Sequence, residues 1–187
     1  EAEGPSLLSI HRTLIIDNEA SIFGGGLCVW EGSQLTLNRS ELNTNRAPIV
    51  GGLSILSDAD ESLDHIITKT KFINNSADFG AGAINHFDGD LSVENCLFDK
   101  NSSPENGSAI WTDDDGDVEN PLKITNVTFV NHAGTLGGVI AVGGDDSDRA
   151  HVVIIQNTIL ANNGADIVRN KGNTEIVSAG GNLSVVD

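Results

Sequence analysis

FINNSADFGAGAINHFDGD, residues 72–90, sets a phenylalanine three residues ahead of an asparagine, follows with a run of small residues, and closes on aspartates. It matches no catalytic motif. Its order recurs along the chain, and the recurrence decides the fold. Aligned on an apolar residue followed three positions later by Asn, the sequence holds IIDN at 15–18, LNTN at 42–45, FINN at 72–75, FDKN at 98–101, FVNH at 129–132 and ILAN at 159–162. The anchors are therefore Ile15, Leu42, Phe72, Phe98, Phe129 and Ile159, spaced 27, 30, 26, 31 and 30 residues apart. Repeats of this length signal a solenoid whose loops vary in size.

The copies also align upstream. Five residues before the anchors stand Ile10, Leu37, Ile67, Val93, Ile124 and Ile154, and seven before stand Leu8, Leu35, His65, Leu91, Leu122 and Val152. This spacing by two is strand periodicity, not the 3.6-residue period of a helix. Two residues before the anchors come mostly small residues, Thr13, Ser40, Thr70, Cys96, Val127 and Asn157, which read as a bend between strands. Downstream lie GGL at 25–27 and 51–53, AGA at 81–83, GSA at 107–109 and GGV at 137–139, read as a sharp turn in which glycine takes positive φ.

A unit of this kind cannot bury its own apolar face, but copies stacked about 4.8 Å apart can. The expectation is an all-β, right-handed parallel β-helix of about six coils. It forms a single domain over residues 1–187, with 157–187 as a degenerate closing coil. The Phe72, Phe98 and Phe129 positions form a core ladder. Asn18, Asn45, Asn75, Asn101, His132 and Asn162 form a second, structural ladder, since Asn tolerates left-handed backbone and stacked amides bond to one another. His65 occupies a core position as a satisfied histidine, unless a bulge brings Ile66 into its place.

Composition narrows the function. A net charge of −17, with only 10 basic residues, excludes ordinary nucleic-acid binding and disfavours anionic lipid. No apolar run approaches the roughly 20 residues of a membrane-spanning helix, so direct membrane insertion is not expected. The acidic runs at 58–64, 88–90, 113–117 and 145–148 share one place in the repeat and should line one edge of the rod. Two readings stand for them. One is a Ca²⁺ site, best at Asp113, Asp115 and Asp117 around Gly116, and more weakly at Asp88, Asp90, Asp145 and Asp146. The other is a solvated edge that keeps the rod soluble. No other cofactor is suggested. Cys28 and Cys96 sit three coils apart, too far for a disulfide, and are expected to be free, buried and inert.

The recurring FxxN and GG[AVIL] elements resemble those of bacterial right-handed parallel β-helix surface proteins, including polymorphic outer membrane protein (Pmp) repeats. Residues 157–187 are similar to the terminal coils of choice-of-anchor Q proteins. The resemblance implies an extracellular or cell-surface location and a non-enzymatic module, adhesin-like or structural. Its partners would be a surface receptor, a glycan or copies of itself stacked end to end into a filament. The alternative is a carbohydrate-binding or polysaccharide-degrading β-helix, for which Trp30 or Trp111 would supply the stacking platform and paired aspartates the chemistry.

Overall fold

The computed structural model describes residues 6–57, 63–113, 121–133, 138–143, 151–165, 167–169 and 174–185. These residues form an all-β solenoid of parallel strands with about six turns and three long sheets. The first sheet stacks Ser6–His11, Ser33–Asn38, Asp64–Thr68, Asp90–Glu94, Leu122–Thr125, His151–Gln156 and Thr174–Ser178. The second stacks Leu14–Ile16, Glu41–Asn43, Lys71–Ile73, Leu97–Asp99, Thr128–Val130, Ile159–Ala161 and Leu183–Val185. The third runs Leu27–Val29, Leu53–Leu56, Ile84–Phe87, Ile110–Asp113, Ile140–Val142 and Ile167–Arg169.

Alternation fills the interior. In the first sheet Leu37, Ile67, Val93 and Ile124 stand in register and are fully buried, while Ile66 between them is 39% exposed. Ile66 therefore does not displace His65: there is no bulge, and His65 lies in register with Leu91. In the second sheet Phe72, Phe98 and Phe129 stack face to face, with ring centroids 4.8 Å apart at both steps. Offset aromatic stacking adds to the area these rings bury. The ring spacing equals the strand spacing of the sheet, so the column costs no distortion.

Two corners hold each coil to the next. At the corner between the first and second sheets, Thr13 N–H donates to Ser40 Oγ, Ser40 N–H to Thr70 Oγ1, and Thr70 N–H to Cys96 Sγ. Each of these hydroxyls or thiols in turn donates to the carbonyl two residues before it. Four of the residues expected only to be small thus form a hydrogen-bonded column, and the apolar Val127 takes the next position. At the second corner the Asn ladder carries the load. Asn45 N–H and its Nδ2 both donate to Asn75 Oδ1, at 3.0 and 2.9 Å, and Asn75 repeats the pattern on Asn101. The Nδ2 of Asn45, Asn75 and Asn101 also donates to the anchor carbonyl one coil back, Ile15, Leu42 and Phe72.

Three expectations are corrected. The sixth copy is shifted by one: Leu160, not Ile159, pairs with Phe129, and Val153 and Ile155 face inward in place of Val152 and Ile154. Asn163 accordingly takes the ladder position, its Oδ1 accepting from His132 N–H and its Nδ2 donating to Phe129 O. Asn162 is exposed and lies outside the ladder. Second, the left-handed residue at each corner is the one before the ladder residue: Asp17, Thr44, Asn74, Lys100, Asn131 and Asn162 all have φ near +55°. Arg12, Arg39, Lys69, Asn95, Asn126 and Asn157 play the same part at the first corner. Such conformations cost roughly 1–2 kcal/mol each for residues such as Arg, Lys and Thr and less for Asn and Asp, and the stacked hydrogen bonds offset that cost.

Third, the glycine motif aligns one residue later than it reads in the middle copies. Leu27 and Leu53 of GGL are in register with Ile84, Ile110 and Ile140, so their equivalents are GAI, SAI and GVI. Gly51 and Gly82 do not take positive φ. They are required because neighbouring coils touch there: a Cβ on Gly51 would lie 2.6 Å from the carbonyl oxygen of Gly82. Among the described residues no helix is long and apolar enough to cross a membrane.

Candidate functional site

Two places in the described residues hold chemistry beyond the ladders. One is inside the rod, at the turn from the third sheet to the first. His65, 1% exposed, accepts a bond from Leu35 N–H at Nδ1 over 3.2 Å, which leaves the proton on Nε2 facing Ser57 Oγ at 3.0 Å. The ring meets His86 edge-on, with centroids 6.5 Å apart. His86 Nδ1 lies 3.0 Å from Thr112 Oγ1, which lies 2.9 Å from His151 Nε2. Burial pushes the His65 pKa down to about 4, against the nearby Asp64 carboxylate, which pulls it up. A neutral imidazole is the form this cavity accepts. Of these residues only His65 stands out in the sequence, because it interrupts an apolar column. His86 and His151 come from other coils, and no local spacing links them.

His132 is a second buried imidazole. It takes the Asn position in the ladder, with Nδ1 3.0 Å from Asn101 O and Nε2 3.2 Å from Phe98 O. Burial lowers its pKa, against the two carbonyls and the Asp99 carboxylate, which favour the proton. Its Nε2 contact with Phe98 O repeats the bond a ladder Asn makes from Nδ2 to the anchor carbonyl, whereas its Nδ1 faces the Asn101 carbonyl where a ladder Asn presents an accepting Oδ1.

The other place is outside, on the outer face of the third sheet. Leu56, Phe87 and Trp111 floor a groove walled by Phe23, Ile49 and Phe79, with Gly80 and Asn106 at the margins and a volume of about 500 Å³. That volume is typical of a binding pocket. Phe87 packs edge-on against Trp111 at 5.1 Å. Phe79 is 55% exposed, yet its backbone is fixed: its N–H donates to Pro48 O, and its carbonyl accepts from Asn106 Nδ2 and Ser103 Oγ. Beside the floor, Asn85 stands in register between Ser54 and Trp111, fully buried, with neither its Oδ1 nor its Nδ2 hydrogen-bonded. Trp30 lies apart, 54% exposed, against Phe23.

The acidic candidates are distributed as follows. Asp113 ends its third-sheet strand opposite Phe87, half-buried, with Gly143 packed close to its carboxylate. Asp88 is buried in the turn that follows Phe87. Asp90 begins a first-sheet strand beside Asp64, with Lys123 Nζ 3.9 Å away. Burial raises the Asp90 pKa; Lys123 opposes that and Asp64 reinforces it. Asp115, Asp117, Asp145 and Asp146 lie outside the described residues. Among the described residues no three His, Cys, Asp or Glu side chains come together as a metal-holding group. Both cysteines are free. Cys96 is buried and its thiol is pushed up to about 11, but Cys28 is only half-buried, a correction to the expectation that both are enclosed.

The geometry can now be set beside known proteins. Residues 95–113 match the Chlamydia polymorphic membrane protein (Chlamydia_PMP) repeat. The matched stretch runs from the first-corner residue Asn95 through the Phe98 anchor and the Asn101 ladder position to the third-sheet strand that ends at Asp113. That repeat points to a bacterial surface or outer membrane protein family, and a parallel solenoid of about six turns fits a Pmp-like β-helix surface protein. No curated protein and no solved structure matches the chain.

Proposed function

We propose that the chain is a non-enzymatic surface-presentation module: a stiff rod that carries recognition on its outer face and loops, in the manner of an adhesin. The observation that carries this is the coil-to-coil stacking of Asn45, Asn75 and Asn101 and of the Phe72, Phe98 and Phe129 column, which gives the rod a rigid packed core. A rod built so can vary its loops without altering its core. An enzymatic reading gains little support, since among the described residues no carboxylate lines the groove beside Trp111, whereas a glycosidase brackets its substrate with two. The acidic edge serves solubility in this reading rather than a calcium cage. Beads coated with the chain should adhere to target cells in a saturable manner, competed by free protein. Adhesion no greater than that of beads coated with a β-helix of unrelated sequence would end the proposal.

Filament assembly is a second reading with its own observation. Among the described residues, the strands Ser6–His11 and Leu14–Ile16 pair with a strand on one side, and Leu7, Leu14 and Ile16 are exposed at 75%, 69% and 41%. Unpaired strand edges of this kind template further pairing. Sedimentation over a wide concentration range should then show growing oligomers, and a single monomeric species throughout would exclude it.

A further inference from the structure

We infer that the groove on the third sheet is a docking socket for a cationic protein segment that inserts one bulky apolar side chain, aromatic or branched aliphatic, between Phe79, Phe87 and Trp111. The lining itself supplies the apolar half of the argument. Its walls are carbon, its volume of about 500 Å³ suits a large side chain, and Phe79 stands 55% exposed at its edge on a backbone fixed by hydrogen bonds. A preorganised socket avoids the ordering cost that weakens most surface contacts.

Charge supplies the other half. From Thr13 to Asn38, Ala47 to Thr68, Phe72 to Asp99 and Asn101 to Leu122, the chain contains no Lys or Arg, and every groove-lining residue falls within these stretches. Carboxylates are dense in the same stretches. Among the described residues, Glu105 adjoins the groove-lining Asn106 and Asp113 follows Trp111 by two positions on its strand. Arg46, the basic residue nearest in sequence to Ile49, is already engaged by Asp78 at 2.8 Å. An apolar socket within a field of one sign selects a partner of the opposite sign and speeds its arrival. An anionic glycan or lipid would be repelled, and a neutral apolar surface would leave the carboxylates unused.

The probe is a synthetic peptide of alternating Lys and Gly with one central Trp, labelled for fluorescence anisotropy and titrated with the whole chain at physiological ionic strength. Two companions carry the controls: one replaces Trp by Ser, the other replaces every Lys by Glu. The Trp–Lys peptide should bind at least about tenfold tighter than either companion. Phe79→Ser, a change at an exposed ring, should remove that advantage, whereas Lys71→Ser on the second sheet should leave it intact. Equal binding of the Trp and Ser peptides, an advantage that survives Phe79→Ser, or preferential binding to neutral phosphatidylcholine vesicles would each overturn the proposal. None of these outcomes depends on whether the chain is displayed on a cell.

Discussion

Replacing His65 by Asn tests the buried imidazole directly. In the folded chain Leu35 N–H donates to Nδ1 and the ring is 1% exposed, so adding a proton at Nδ1 breaks a bond and places a charge in the core. A histidine with a pKa of about 4 when folded, against about 6.5 when unfolded, binds protons more weakly in the native state. Its contribution to stability is therefore complete above about pH 6.5 and is lost as pH falls toward 4. From those two values the loss between pH 7.5 and 4.5 comes to about 2.5 kcal/mol, approaching about 3.4 kcal/mol in full. Asn keeps an acceptor near the Nδ1 position and does not titrate. Urea denaturation of both proteins at the two pH values isolates the effect, because the carboxylates titrate alike in each and cancel. His65→Asn should be the weaker protein at pH 7.5, and the gap should close by about 2.5 kcal/mol at pH 4.5. Parallel pH profiles for the two would refute the reasoning.

Three further outcomes follow from the same structure. Asn163→Ala strips the partners from His132 N–H and Phe129 O and should cost about 2–3 kcal/mol, whereas Asn162→Gly, at an exposed corner with φ +55°, should change stability by less than about 0.5 kcal/mol; the reverse ranking, measured by chemical denaturation, would restore the unshifted alignment. Gly82→Ala places a methyl group against backbone atoms of the next coil and should destabilise by about 3 kcal/mol or more, with thermal melting as the readout and a near-neutral result as the disproof. Melting temperatures in millimolar Ca²⁺ and in chelator should coincide if the acidic edge is only solvated, since a ligand held by the native state raises the transition; a clear rise with Ca²⁺ would restore the cage reading.

What the sequence reveals here follows from distance along the chain. The strand alternation and the Phe72, Phe98 and Phe129 anchors are visible because each is repeated within a short window. The last copy misleads because ILAN at 159–162 and LANN at 160–163 satisfy the same pattern. Only the pairing of Val153 with Leu122 and Leu160 with Phe129 separates them. The left-handed corners are hidden for a different reason: Arg12, Thr44, Lys69 and Lys100 are residue types that seldom choose that conformation alone. Neighbouring coils impose it. The groove and the histidine cluster were illegible because Phe23, Ile49, Phe79 and Trp111, or His65, His86 and His151, meet only after the coils stack.

The corner ladders have a consequence for heredity. The bonds of the Asn ladder join residues some 26 to 34 positions apart, so a coil depends on its neighbours and hardly on its own loops. A gene encoding such a chain can gain or lose a whole coil and still present matching Asn and small-residue corners at the new junction. An insertion or deletion within a corner, in place of a full coil or a loop change, leaves a backbone amide facing nothing. Selection can therefore lengthen the rod in discrete steps while the outward loops diverge freely, two kinds of change that rarely proceed independently in a globular domain.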